Sequence, residues 1–330
     1  MTGREGAAAA ARYLVTGATG FLGAHLARAI EAEGHEVVRF SRSTGGDVLD
    51  GAGVREAAAG CTGVFHCAGK VSRRREDAEA LYRVHVEGTR TVLDACEAAG
   101  VRRAVIASTS GTIAVSERAD RVADESAPAP IGLIARWPYY RAKLFAERAA
   151  LERSGRLEVV CVNPSLLLGP GDVNGSSTED VRLFLERAVP AVPAGGLSFV
   201  DVRDAADALR RAMDRGRPGE RYLVGACNLT VRDFFARLGR VSGVRAPWVP
   251  MPRSRELARA GAAWVDRAAS HVGLRTAIDP VSVEMGQCFW YLDSTRAERE
   301  LGWSARDPNA TLLDTVEDLR DRGVVWETAS

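Results

Sequence analysis

The stretch Thr16-Gly17-Ala18-Thr19-Gly20-Phe21-Leu22-Gly23 carries the reading of this chain's fold. Before it, residues 12–16 (RYLVT) form a short apolar run suited to a buried strand. After it, residues 21–33 place apolar side chains at helical spacing and stop at Gly34. Between a strand and a helix the three glycines have separate uses. Gly17 permits the sharp turn, Gly20 lets backbone approach a pyrophosphate, and Gly23 lets the helix pack closely on the strand. The exposed amides at the helix start suit phosphate oxygens. Gly17, Thr19, Gly20, Phe21, Leu22 and Gly23 are therefore expected to hold a dinucleotide.

The alternation continues outward. Residues 36–40, 63–67 (GVFHC), 104–108 (AVIAS) and 159–163 (VVCVN) read as further strands, with helices over 78–100 and 140–154 among them. Strands that are apolar throughout, each followed by a helix, predict a parallel sheet covered on both faces. Right-handed crossovers make it an α/β doubly wound sheet, the Rossmann fold, with its ligand crevice at the strands' carboxyl ends. This binding domain is expected over 12–168. From Gly169 the pattern loosens, because Gly169-Pro170-Gly171-Asp172, Pro190, Pro193 and Gly195-Gly196 interrupt regular elements. Residues 169–330 read mainly as a smaller C-terminal substrate-binding region. Strands near 197–202 and 221–224 are expected to return to the main sheet, and helices to run over 253–271 and 296–301.

The 330 residues carry a formal charge of +1, with 46% hydrophobic and 26% charged side chains. That balance supports a substantial core and gives no electrostatic reason for a nucleic-acid or anionic-membrane partner. No run approaches the ~18 apolar residues of a membrane span. Residues 1–11 lack the apolar core of a secretory signal and read as a disordered leader, so the expected compartment is cytoplasmic. The six cysteines show no CxxC pairing and lie mostly in apolar runs, as buried reduced thiols do; no metal-ligand pattern is evident. Of 44 basic residues only Lys70 and Lys143 are lysine, which draws attention to positions needing a compact ammonium.

Two further places bear on chemistry. The second strand ends Phe40-Ser41-Arg42, where an NAD site would offer a carboxylate to the ribose hydroxyls. Arg42 offers a guanidinium suited to a 2′-phosphate, so NADP (NADPH) is preferred and NAD possible. Asp47 is a candidate for the adenine edge. Tyr139 and Lys143 stand four apart in PYYRAK (138–143), at a helix start, and so share a face. A phenol near its ordinary pKa of about 10 exchanges protons poorly at neutral pH. A neighbouring ammonium is expected to draw it toward the working range. Tyr139 then passes a proton to or from a carbonyl oxygen as hydride moves at the nicotinamide, and Lys143 also holds the nicotinamide ribose. Ser108-Thr109-Ser110, at a strand's carboxyl end, offers a hydroxyl to the substrate oxygen.

Taken together, TGATGFLG (16–23), GCTGVFHCAGK (60–70), VEGTRTVLDAC (86–96), Ser-Thr-Ser (108–110), Tyr139-x-x-x-Lys143, NPSLLLGPGD (163–172), FVDVRDAADA (199–208) and LDSTRAERELGW (292–303) resemble one family over nearly the whole chain. It is the extended short-chain dehydrogenase/reductase family, in its dihydroflavonol-reductase-like branch, within the epimerase/dehydratase superfamily. The resemblance implies a hydroxyl–tyrosine–lysine triad of Thr109, Tyr139 and Lys143, with Ser108 or Ser110 as alternates for the hydroxyl. It places Arg42 at the 2′-phosphate and Asp47 with Val48 at the adenine. Cys67, Ala68, Gly69 and Lys70 fall beside the cofactor, and Pro164 and Leu166 at the nicotinamide. It also implies a homodimer paired through the 78–100 and 140–154 helices. His85 stands where the family usually has asparagine and reads as a core histidine. Asp201 replaces a common histidine.

Sister epimerases and dehydratases of nucleotide sugars need cations for a substrate diphosphate, commonly an arginine just before the phenylalanine of a late strand. Here that stretch, Ala194 to Phe199 (AGGLSF), is uncharged. The expected reaction is reduction of a ketone, or oxidation of the matching alcohol, on a small, largely uncharged substrate. Trp248, Trp264, Phe289 and Trp290 are candidates for an apolar pocket. Two alternatives stand beside it: epimerase or dehydratase chemistry on a sugar nucleotide, and a nicotinamide-sensing protein without turnover.

Overall fold

Six strands lie side by side, all parallel, in the order β2-β1-β3-β4-β5-β8: β1 (Arg12–Thr16), β2 (Glu36–Phe40), β3 (Gly63–His66), β4 (Arg103–Ala107), β5 (Glu158–Pro164) and β8 (Arg221–Val224). This computed structural model describes residues 10–153, 157–252 and 280–325. Successive side chains of a strand point to opposite faces, which is why the inner strands carry consecutive apolar residues such as Leu14-Val15, Val64-Phe65, Val105-Ile106 and Val159-Val160. Leu14, Val64, Ile106, Val159 and Cys161 pack on one face with α2 (Gly51–Ala58), α4 (Gly88–Ala98) and α6 (Pro138–Leu151). Val15, Phe65, Val105, Val160 and Val162 pack on the other with α1 (Phe21–Ala32), α8 (Val202–Arg215) and α11 (Thr295–Leu301). The sheet is the doubly wound α/β sheet expected.

A second, smaller core lies beyond β5. There β6 (Leu166–Leu168), β7 (Gly196–Asp201) and β9 (Cys227–Thr230) form a three-stranded sheet, with α7 (Glu179–Leu185), α9 (Val231–Ser242) and α12 (Pro308–Asp321) against it. Phe184 and Phe235 stack at 5.4 Å within this core.

One expectation needs correction. Residues 221–224 join the main sheet beside β5, but 197–202 do not: β7 pairs parallel with β6 and antiparallel with β9. The edge of β5 is already taken by β8, and an apolar run carries no information about which edge it will find. The helix expected over 78–100 runs from Ala78 to Ala98 as α3 (Ala78–Tyr82), a π-helical turn over Arg83–Glu87, and α4. Such turns recur at functional sites because they re-aim side chains. The expected 253–271 helix, Trp264 and the leader up to residue 9 lie outside the described residues. Among the described residues no helix is long and apolar enough to cross a membrane.

Candidate active site

Strand order reverses at β1, which has β2 on one side and β3 on the other, so a crevice opens at the carboxyl ends of β1 and β3. Gly17 turns there with φ +68°, and a Cβ on it would lie 2.7 Å from the backbone N and Cα of Ala68. A Cβ on Gly23 would overlap the Gly17 carbonyl oxygen. Gly20 caps α1 without a side-chain hydrogen bond, and the first turn carries no acidic residue. Those amides are therefore open to an anion. The cradle fits a dinucleotide pyrophosphate.

Thr19 ties this turn to the next one, its Oγ1 lying 2.8 Å from Ser43 Oγ and 3.2 Å from Ser41 Oγ. Arg42, exposed, begins the short 3₁₀ helix Arg42–Thr44 directly after β2. Asp47 is exposed and accepts from the Leu49 amide at 3.0 Å, while Val48 is buried. At the end of β3, Cys67 and Ala68 are half-buried and Gly69 exposed. Lys70 is drawn aside to Asp77, with Nζ 2.8 Å from its carboxylate. Phe21, Leu22 and Leu166 are half-buried, and Pro164 is buried at the end of β5.

On α6, Tyr139, Lys143 and Glu147 recur every fourth residue and so line one face. Pro138 opens the helix at a position whose missing N–H costs nothing. Lys143 Nζ donates to the Ala107 carbonyl at the end of β4, at 2.7 Å. Burial brings its pKa down to about 8, opposed by Cys67, Glu147 and Cys161. Tyr139 corrects an expectation: its pKa is raised, not lowered. Burial of the phenol dominates, with Tyr140 adding to it, so the neutral, proton-bearing form is favoured.

The Ser108-Thr109-Ser110 run divides its tasks. Ser108 Oγ donates to Glu147 Oε2. Thr109 Oγ1 accepts from the Gly111 amide at 3.4 Å, and among the described residues no acceptor takes its hydroxyl proton.

Two buried histidines close the floor. His66 lies between Thr16 Oγ1 (2.8 Å from Nδ1) and Thr89 Oγ1 (3.1 Å from Nε2). His85, on the π-helical turn, bonds the Lys70 carbonyl at 2.8 Å and meets the Tyr139 ring edge-on at 5.5 Å. Burial first, and Lys143 second, bring both pKa values down to about 3. A ring kept neutral in the fold but free to protonate when unfolded favours the unfolded chain as pH falls. Stability is thus complete above the ordinary histidine value of 6.5 and declines from there toward 3. We expect a loss of about 1.4 kcal/mol per ring for each pH unit in that window. Thermal melts between pH 7 and 5 check this, with His85→Asn removing about half of the histidine slope; equal slopes in both proteins are the contrary result.

Next to Tyr139, Trp290 stacks on Trp137 at 5.5 Å and lies 5.0 Å from Tyr140. Phe289 is half-buried and pairs through its backbone with Ser116. Trp248 is 74% exposed and takes no part in this cluster. Sequence reasoning missed Glu147, Asn163 and Arg221; the every-fourth spacing 139-143-147 was the available signal for the first. Cys61, Cys67, Cys96, Cys161 and Cys227 are free thiols, and among the described residues no cluster of metal-ligating side chains exists.

The NAD dependent epimerase/dehydratase family model matches residues 13–225. A Synechocystis protein, provisionally assigned as a dihydroflavonol 4-reductase, is 32% identical, covering 95% of this chain and 96% of its own. Sterol demethylase protein B of Methylococcus capsulatus is 31% identical over 94% of this chain and 99% of its own. Among solved structures, a nucleoside-diphosphate-sugar epimerase from Pseudomonas aeruginosa superimposes with a TM-score of 0.75 at 27% identity, covering 97% of this chain and all of that one.

Proposed function

The chain belongs to the NAD-dependent epimerase/dehydratase family, and on that premise we propose that it reduces a ketone, or oxidises the matching secondary alcohol, with NADP(H). It is an extended short-chain dehydrogenase/reductase of the dihydroflavonol-reductase-like branch, and hence an NAD(P)-dependent oxidoreductase. When bound, the nicotinamide supplies or takes up the hydride. Tyr139 donates its proton to the carbonyl oxygen, and the phenolate so formed is stabilised by the Lys143 ammonium one helical turn away. The Thr109 hydroxyl, with its proton free, orients the same oxygen. The observation that carries this reading is geometric: Tyr139 and Lys143 share one face of α6, and the Lys143 ammonium is anchored on the Ala107 carbonyl at the end of β4, next to the Ser108–Ser110 run.

A largely uncharged substrate is supported by the Trp137, Tyr140 and Trp290 rings beside Tyr139, by the absence of charge over 194–199, and by the sterol in the name of the Methylococcus relative. Turnover of a ketone panel with NADPH tests the reading. Product formed with no net consumption of cofactor would point instead to epimerisation, the activity named for the Pseudomonas neighbour. Pairing of two copies across α4 and α6 belongs to the same reading, as Phe145 is 42% exposed on the latter.

NADP is favoured over NAD because Arg42, exposed after β2, offers a charge-assisted contact to a 2′-phosphate. We expect Arg42→Ser to raise KM for NADPH roughly 10- to 100-fold and to leave KM for NADH unchanged. Steady-state kinetics with both cofactors decide it, and equal effects on the two would remove Arg42 from the site.

A further inference from the structure

Glu147 is a carboxylate only 1% exposed, in a place where burying a charge is costly unless every oxygen is engaged. Here one oxygen, Oε2, accepts from three donors: Ser108 Oγ, Thr112 Oγ1 at 3.2 Å and Asn163 Nδ2 at 2.6 Å. The other, Oε1, faces Arg221 Nη1 at 3.0 Å, close but without a well-directed hydrogen bond. Four segments thus converge on one side chain of α6: the exit of β4, the turn Ser110–Thr112, β5 and the start of β8. Two of these groups also reach the carbonyl of Thr109: Asn163 Nδ2 donates to it at 3.1 Å, and Thr112 Oγ1, 3.0 Å away, shares its one proton between that carbonyl and Oε2.

We propose that Glu147 is a positioning residue, which locks the turn bearing Thr109 onto the helix face bearing Tyr139 and Lys143 and serves as the counter-charge of Lys143. This rests on the function proposed above. An amide cannot replace it without loss, because its NH₂ would have to face either the three donors or the guanidinium. Around Lys143 stand Cys67 after β3, Cys161 on β5, His66 at the end of β3 and His85 on the π-helical turn, besides Glu147 on its own helix; Arg221 of β8 faces Glu147 from the far side. Both histidines are neutral near pH 7, and the two thiols are held protonated by burial. Glu147 is therefore the anion whose field acts on the Lys143 ammonium, although its direct ion-pair partner is Arg221.

The test is a set of variants read by kcat, by KM for NADPH, and by the alkaline limb expected in the kcat profile from deprotonation of Lys143, whose pKa burial brings down to about 8. Glu147→Gln is expected to lower kcat roughly 10- to 100-fold, to leave KM for NADPH unchanged, and to move that limb to lower pH. Ser108→Ala frees the turn while keeping the charge, so kcat falls and the limb stays. An unchanged kcat in Glu147→Gln, or a fall with an unmoved limb, overturns the proposal. If that variant does not fold, wild-type kcat in the Ser108→Ala/Thr112→Val pair overturns it, and a reduced kcat with unchanged KM supports it. Tyr139→Phe, run alongside, separates the two levels. Should it keep turnover, the proposed function fails and takes this inference with it; should it lose turnover while Glu147→Gln is unaffected, only the inference fails.

Discussion

Tyr139→Phe is expected to lower kcat for ketone reduction by roughly 10²- to 10⁴-fold, the usual weight of a positioned general acid, with NADPH affinity retained. Only one oxygen is removed. The ring keeps its edge contacts with His85 at 5.5 Å and Tyr140 at 5.1 Å, so the helix start stays in place and the loss is chemical. Because burial holds this phenol above its ordinary pKa, it carries its proton throughout the neutral range, and the reductive direction suffers directly. NADPH oxidation followed with a ketone panel, paired with a fluorescence titration of NADPH, checks both halves. Turnover that survives the substitution sinks the proposed chemistry. Binding without turnover in both wild type and variant would favour the sensing alternative.

Gly17→Ala should damage stability and cofactor binding together. The residue sits at φ +68°, where a side chain costs about 1–2 kcal/mol, and its Cβ would lie 2.7 Å from the Ala68 backbone. Overpacking of that kind adds about 1–3 kcal/mol. The Tm should therefore drop by roughly 2–4 °C per kcal/mol lost. The turn can accept a methyl group only by moving away from the end of β3, which displaces the amides at the start of α1 and so weakens NADPH binding. Gly34→Ala is the matched control. Gly34 also has a positive φ, +85°, but nothing lies within 4 Å of its Cβ position. It should lose a little stability and no cofactor affinity. Equal NADPH affinity in wild type and Gly17→Ala would remove this turn from the binding site.

The parts of the site that could be read from the sequence are those written in short spacings. Glycines at 17, 20 and 23 between an apolar run and a helical pattern lead to the cradle, and Tyr139 and Lys143 at a four-residue interval lead to one helix face. Spacing did not reveal how the groups are engaged. Lys70, one of only two lysines, is spent on Asp77. Ser108, equivalent to Thr109 in the linear run, is taken by Glu147, and the link between them spans 39 positions.

By itself, then, the sequence determined the α/β alternation, the glycine turn before α1 and the shared face of α6. All of these are local, since backbone periodicity and glycine's freedom act within a few residues. Only the tertiary structure decided that β7 leaves the main sheet, that a π-helical turn brings His85 against Tyr139, that the phenol keeps its proton and that four distant segments close on Glu147. Desolvation and hydrogen-bond partnership are sums over atoms that the fold alone brings together, so no spacing along the chain encodes them one residue at a time.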